Sequence, residues 1–292
     1  MPGLQDFGDI VQTNATLAPF TYLKVGGTVE ALVKPRTRAE LGAVVKHCFD
    51  TRLPVRVLGA GCNVLVRDEG VPGVVLRLTE PAFSSITVAG RKVKAGAGAG
   101  LSALISESAR HGLAGLELLV GIGGTVGGAL RCNAGDRSGE IGTYVRQVEV
   151  MDERGQVEIR ERDELTFSPG SSNLDDPVLL DTELELETDD PDAIVKRMRK
   201  AWIQRKASQP LSFQAAARIF KNPRGRLASD LIEQAGLAKT RVGGAEVSER
   251  NANFIITHPG GTARDVLRLI DMVRTRVKER AGVDLELELT VW

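Results

Sequence analysis

The chain predicts an α+β fold in more than one domain, and three observations lead there. Helical and strand-like apolar patterns alternate through the first 190 residues or so. Glycine-rich turns punctuate these patterns without opening the helix that a Rossmann dinucleotide-binding βαβ unit requires. After residue 190 the character changes, and a long amphipathic helix leads into a second set of short strands and helices. At 292 residues the chain also exceeds what one hydrophobic core usually organises.

In order along the chain, residues 37–50 place Ala39, Leu41, Val44, Val45 and Cys48 at helical spacing behind Thr37, a side chain suited to capping. In VRVLGAGCNVLVRD the apolar residues 55–58 meet a turn at 59–63, and Val64, Leu65 and Val66 then resume a strand. A G-x-G-x-x-G fingerprint needs glycine where Val64 stands and a helix after it, so this stretch reads as strand, turn, strand. VVLRL, SITVAG and RKVKAGAGAG read as short strands joined by tight turns, with Ala89-Gly90 as a hairpin tip, and residues 101–111 read as a helix. GLAGLELLVGIGGTVGGALRCNAGD is dense in glycine yet too apolar for a flexible linker, which implies backbone pressed against something. A hairpin follows in VRQVEVMDERGQVEIR, turning at Asp152–Gly155, and DPVLLDTELELET supplies a further strand.

Beyond residue 190, DAIVKRMRKAWIQRKA sets Ile194, Met198 and Trp202 four residues apart and ends just before Pro210. The remainder holds the loop AAARIFKNPRG, a short helix about Leu231, a strand at NFIIT and a long helix in TARDVLRLIDMVRTRVKERAG. In the final LELELTVW, Leu285, Leu287, Leu289 and Val291 alternate with Glu286, Glu288 and Thr290, the pattern of a strand with one face in a core.

Composition narrows the partners. Hydrophobic residues at 42% and charged residues at 26% describe an ordered globule, and 38 basic residues against 38 acidic ones leave no net field for nucleic acid or an anionic membrane. The N-terminal MPGLQDFGDIVQTNA lacks a basic segment followed by an apolar one, and no run approaches the roughly 18 apolar residues of a membrane span, so a cytoplasmic protein is expected. Cys48, Cys62 and Cys132, with His47, His111 and His258, show neither disulfide nor zinc spacing, and no metal is expected.

Three glycine clusters, at 59–63, 95–100 and 121–128, each sit beside apolar strand or helix signals. Glycine lets backbone N–H groups approach a ligand closely, and successive N–H groups form concavities that hold phosphate oxygens. Any one cluster also fits a plain tight turn. Three of them suit a cleft for a pyrophosphate and a flat ring.

The motifs TYLKVGGTVEALVKP, VLGAGCNVLVRD, GLELLVGIGGTVGGALRCNAGD, IFKNP, IEQAGL, GGAEVSERNANFI and LELEL, in this order, span nearly the whole chain. Together they resemble the UDP-N-acetylenolpyruvoylglucosamine reductases, flavoenzymes of peptidoglycan precursor synthesis, in the shorter type of that family. The resemblance implies an FAD-binding half of the vanillyl-alcohol oxidase (PCMH) type in two subdomains, 1–80 and 81–195, and a C-terminal α+β substrate-binding domain at 196–292. It implies FAD as cofactor, NADPH as reductant, a nucleotide-sugar substrate and a monomer. Gly59, Ala60, Gly61, Cys62 and Asn63 would lie on the FAD pyrophosphate. Gly121, Ile122, Gly124, Thr125, Gly127, Gly128, Asn133, Ala134 and Gly135 would lie near the flavin and its ribityl chain. Lys221, Asn222, Arg205 and Arg131 would serve the substrate. Cys62 stands where serine is common, Gly123 where proline is, and Asn251 where histidine is.

The catalytic set departs further. The family's serine, two residues before Phe-Lys-Asn-Pro, falls on Arg218, and its Tyr-Arg pair falls on Pro169 and Gly170, while its glutamate is kept as Glu288. Ser229 lies nearby but reads as serving a helix start. Three accounts of Arg218 stand. It relocates the lost guanidinium, holding a carboxylate while Glu288 or a water supplies the proton. It marks a catalytically degenerate FAD- or nucleotide-sugar-binding paralogue, since a guanidinium cannot act as an acid. Or it points to solvent.

Overall fold

Short β-branched runs and two capped helices set the architecture. In the computed structural model, which describes residues 3–136, 138–210 and 215–292, the first sheet contains β1 (Val11–Thr16), β2 (Thr28–Val33), β3 (Val55–Val57) and β5 (Val71–Leu76), ordered β1-β2-β5-β3. Strands β3 and β5 run parallel, Val55 opposite Val74, so their carboxyl ends open on the same side. β4 (Val64–Leu65) stands apart from this sheet. Helix α1 (Arg38–Asp50) starts where the Thr37 hydroxyl accepts from the Glu40 N–H, and it buries Leu41, Val44, Val45 and Cys48. These pack with Ala31, Val33, Val74 and Leu76.

The second sheet is antiparallel throughout: β6 (Ile86–Ala89), β7 (Lys92–Gly96), β8 (Val145–Met151), β9 (Val157–Glu161) and β10 (Val178–Glu185), ordered β9-β8-β10-β7-β6. One face, with Val93, Ala95, Val148, Val150 and Leu184, packs on α2 (Leu101–Arg110) and α3 (Val126–Arg131). On the other, Arg38 joins Glu149 and Asp181, and Lys94 adds to both carboxylates. Ala89 faces Lys92, so the hairpin tip is Gly90-Arg91 rather than the expected Ala89-Gly90. Gly90, at φ 60°, takes the left-handed place there.

The C-terminal part contains α4 (Pro191–Ser208), β11 (Ala216–Arg218), α5 (Ala228–Gln234), β12 (Arg241–Val242), β13 (Ala245–Val247), β14 (Phe254–Thr257), α6 (Ala263–Ala281) and β15 (Thr290–Val291). Four strands form an antiparallel sheet ordered β11-β14-β13-β12, covered by the apolar stripe of α6. A capping box between Thr262 and Asp265 starts α6, and the Asp68 carboxylate accepts from the N–H groups of Ala263 and Arg264 as well. LELEL alternates as expected, with Leu285 and Leu289 buried and Glu286 exposed. The regular strand is shorter than the pattern suggests, because Leu287 meets Phe220 only as an isolated bridge and β15 alone pairs with β4, in parallel.

The chain divides into two units: residues 1–15, 30–60 and 72–204 in the first, and 16–29, 61–71 and 205–292 in the second. Among the described residues no helix is long and apolar enough to cross a membrane, and no group of three or more His, Cys, Asp or Glu could hold a metal.

Candidate functional site

In the first unit, the turns after three strands converge. Residues 57–60 leave β3, Arg77–Thr79 leave β5, and Ala97 and Gly98 leave β7; with Thr125, Gly127, Gly128, Arg131 and Leu179 they wall a cavity of about 160 Å³. Carboxyl ends of parallel strands are a recurrent place for ligand crevices. The glycines make this convergence possible. A Cβ on Gly98 would collide with the Leu78 carbonyl, and one on Gly59 with the Thr125 hydroxyl. Gly128 differs, because a Cβ there would meet only Thr125 Oγ1, at 3.5 Å.

The backbone donors around the cavity split into two groups. The first turn of α3 is spent inside the protein: Val126 N–H donates to Ala99 O, Gly127 N–H to Ala97 O, and Gly128 N–H to Thr125 Oγ1. Among the described residues, the N–H groups of Gly59 and Ala60 meet no acceptor. Donors of this kind, beside two half-buried guanidiniums, fit an anion such as a diphosphate. Burial lowers the pKa of Arg77 and that of Arg131, where Asp175 and Asp176 partly offset it. Arg131 donates to the carbonyls of Leu174 (2.7 Å), Asp176 and Pro177 (3.5 Å), so its fork braces the 174–177 segment.

The expected cofactor residues separate. Gly59, Ala60, Thr125, Gly127 and Gly128 share the cavity wall with Arg131. Gly121, Ile122, Gly124, Asn133, Ala134 and Gly135 lie off that wall. The Asn133 side chain, 2% exposed with its residue at φ 44°, accepts from Gly142 N–H and donates to Glu140 Oε2 and Ser168 O, which makes it a local brace. Gly61, Cys62 and Asn63 fall in the second unit. There the Gly61 carbonyl accepts from Tyr22 N–H, and Asn63 Nδ2 donates to Glu288 O at 2.9 Å. Burial and then a hydrogen bond with Cys62 raise the Tyr22 pKa. Sequence reasoning passed over Arg77; a lone cation inside the apolar run VVLRL was the available signal.

In the second unit, β11 pairs with β14 up to Arg218 opposite Phe254. The ladder then passes to a side chain: buried Asn253 accepts from Phe220 N–H at 2.9 Å through Oδ1 and donates to Phe220 O at 2.7 Å through Nδ2. Across from it, Glu288 N–H donates to Ile219 O, and Lys221 N–H to Glu286 O. This backbone lattice sets two ion pairs side by side, Arg218 Nε to Glu288 Oε2 at 3.0 Å and Lys221 Nζ to Glu286 Oε1 at 2.5 Å. Arg218 is therefore tied to the retained glutamate and not simply held in solvent. Burial raises the Glu288 pKa, and Arg218 and then Lys221 pull it back.

The other expectations land as follows. The Asn222 amide oxygen accepts from Ala228 N–H and so caps α5. That is a correction for Ser229, which lies inside α5 with its hydroxyl on Asp230. Arg205 sits in the last turn of α4, whose end is held where Arg250 donates to Lys206 O and Asn251 to Ser208 O. In the first unit, Pro169 and Gly170 form the two-residue tip between Ser168 and Ser171, with Gly170 at φ 75°, and neither residue is a cation.

Comparison with known proteins accounts for this layout. Residues 29–159 match the FAD binding domain family, and residues 209–292 match the C-terminal domain of UDP-N-acetylenolpyruvoylglucosamine reductase. The chain is 42% identical to the UDP-N-acetylenolpyruvoylglucosamine reductase of Moorella thermoacetica, over 97% of this chain and 93% of that protein. It is 41% identical to UDP-N-acetylenolpyruvoylglucosamine reductase 2 of Symbiobacterium thermophilum, over 93% and 89%. The crystal structure of the reductase (MurB) from Thermus caldophilus superposes with a TM-score of 0.83 at 39% identity, covering 95% of this chain and 97% of that one. The fold is α+β, with an FAD-binding domain of the vanillyl-alcohol oxidase (PCMH) type. With identity this high over nearly the full length, the chain belongs to the UDP-N-acetylenolpyruvoylglucosamine reductase family.

Proposed function

We propose that this chain is a cytoplasmic, monomeric, NADPH-dependent flavoprotein. It would reduce UDP-N-acetylglucosamine enolpyruvate to UDP-N-acetylmuramate with a rearranged catalytic set. The observation that carries the reading is the Arg218–Glu288 contact: at the position of the family's serine, the chain places a cation directly on the retained carboxylate. FAD, when bound, supplies the hydride chemistry. The first unit fits it, since unspent backbone donors on a cavity lined by Arg77 and Arg131 suit a diphosphate. Gly59, Ala60, Thr125, Gly127 and Gly128 would hold it there.

The second unit would handle charge and proton. An enolpyruvyl substrate carries a carboxylate, and negative charge grows beside it as the double bond accepts hydride. Arg218 is the cation to receive that charge, and its planar fork suits a carboxylate. Glu288, partly buried and with a raised pKa, is the group suited to hold and deliver a proton. As Arg218 turns to the substrate anion, Glu288 loses part of the positive field that favours its ionised form, and its hold on the proton strengthens. Lys221, Arg205 and Asn222 would bind the nucleotide sugar.

The Pro169-Gly170 tip favours a second reading, a flavin- or nucleotide-sugar binder without turnover, because neither residue of the tip has a side-chain cation or donor for an enolate. Substrate-dependent NADPH oxidation by purified protein decides between them. Under the first reading, Arg218→Ser lowers turnover; no change or a gain supports the second.

A further inference from the structure

Arg77 and Arg131 are both among the residues that line the cavity of the first unit, and two cations beside one small cavity favour an anion there. Arg131 braces the chain, donating from its fork to the carbonyls of Leu174, Asp176 and Pro177. Arg77 is differently placed. It follows β5 directly, where its N–H donates to Val33 O, and the next residue, Leu78, is buried beneath Gly98. The main chain at 76–79 is thus fixed from both sides, and Arg77 reaches the wall from a rigid root. Half-buried, it bears a desolvation cost that a bound anion would offset. Across the same cavity lie Gly59 and Ala60, whose N–H groups meet no acceptor among the described residues.

We propose that Arg77 is a binding residue for a dinucleotide diphosphate, closing its fork on phosphate oxygens that the N–H groups of Gly59 and Ala60 meet from the other side. The proposal rests on the FAD-binding assignment of this unit and adds the side chain that supplies the charge. A guanidinium gives a phosphate paired, parallel N–H donors, which a lysine does not reproduce. Arg77 then sets the preference for a dinucleotide over the bare isoalloxazine with its ribityl chain.

The test strips flavin from the purified protein and titrates FAD and riboflavin back, following flavin fluorescence, for wild type, Arg77→Met and Arg77→Lys. Thermal melts of the flavin-free proteins run alongside. Arg77→Met is expected to weaken FAD by roughly 10- to 100-fold and to flatten the salt dependence of binding, with Arg77→Lys in between and riboflavin unaffected. Unchanged FAD affinity in Arg77→Met overturns the proposal, and so does an equal loss for FAD and riboflavin, which would report a damaged fold. Should Arg77→Met fail to fold, Arg77→Lys decides: wild-type FAD affinity there refutes a fork-shaped contact. Wild-type protein that takes no FAD fails at the FAD assignment itself, a result distinct from these.

Discussion

The two units build their sites from opposite materials. In the first, the cavity wall is mostly backbone and glycine, and Arg131, one of the two cations among its lining residues, braces the chain. In the second, the lattice of β11, Asn253 and the 285–289 segment exists to set charged side chains against one another. The difference teaches where substitution can act. A site made of amides tolerates side-chain exchange wherever the backbone keeps its course, because the donors belong to the main chain. A site made of side chains changes its chemistry with one residue, as Arg218 shows.

The contrast breaks most sharply at the side-chain site. Replacing Arg218 by Met should lower turnover by roughly 10²- to 10³-fold, while FAD affinity stays at the wild-type value. The same variant carries a pH signature. A proton donor must be protonated, so activity is lost as pH rises through the Glu288 pKa. Arg218 lowers that pKa, so its removal should move the loss to higher pH. A pH profile of kcat that keeps its position in Arg218→Met would remove Glu288 from the donor role. Glu288→Gln should erase that limb.

Next in size is the support beneath those charges. Asn253→Ala strands both backbone groups of buried Phe220, and the expected cost is roughly 2 to 4 kcal/mol, read from the denaturant midpoint. Asn253→Asp keeps the acceptor and loses the donor, so it should fall between alanine and wild type. Equal stability in all three would mean that the Phe220 clamp contributes nothing.

What the sequence reveals follows the same division. The long helices α1 and α6 were readable as helical patterns, α1 with spaced apolar residues behind the Thr37 cap. Helix α3 was not, since Gly127 and Gly128 argue against a helix, and its start depends on carbonyls of Ala97 and Ala99 some thirty residues away. The glycine clusters announced a backbone-lined cleft. They did not reveal which residues would face it, and Gly61–Asn63 fall in another unit from Gly59 and Ala60. The Arg218–Glu288 partnership joins residues 70 apart, and only the β-bridge of Phe220 with Leu287 brings them into register. Asn253 escaped notice because an asparagine doing the work of a strand's backbone has no local pattern.

A gentler probe sharpens the backbone side. Gly128 sits within α3 with room for a Cβ, so Gly128→Ala should raise stability by up to about 1 kcal/mol through helix propensity. On the cavity wall the same methyl displaces ligand, and FAD affinity should fall about 10-fold. Stability and affinity moving in opposite directions would mark a residue whose smallness serves the ligand and not the fold. If both rise, the ligand lies elsewhere in the unit.

The smallest effect concerns Pro169 and Gly170. Restoring Tyr and Arg there looks like a repair, but the tip between Ser168 and Ser171 holds Gly170 at φ 75°, a conformation that arginine adopts only under strain. Pro169→Tyr with Gly170→Arg should cost roughly 1 kcal/mol and leave turnover unchanged, since an exposed hairpin tip lacks the neighbours that would aim a guanidinium. A thermal melt and a turnover assay on the double variant check both halves. A clear gain in turnover would show that the tip can reopen and present its side chains, and the cation at 218 would then be an addition to the old chemistry and not its replacement.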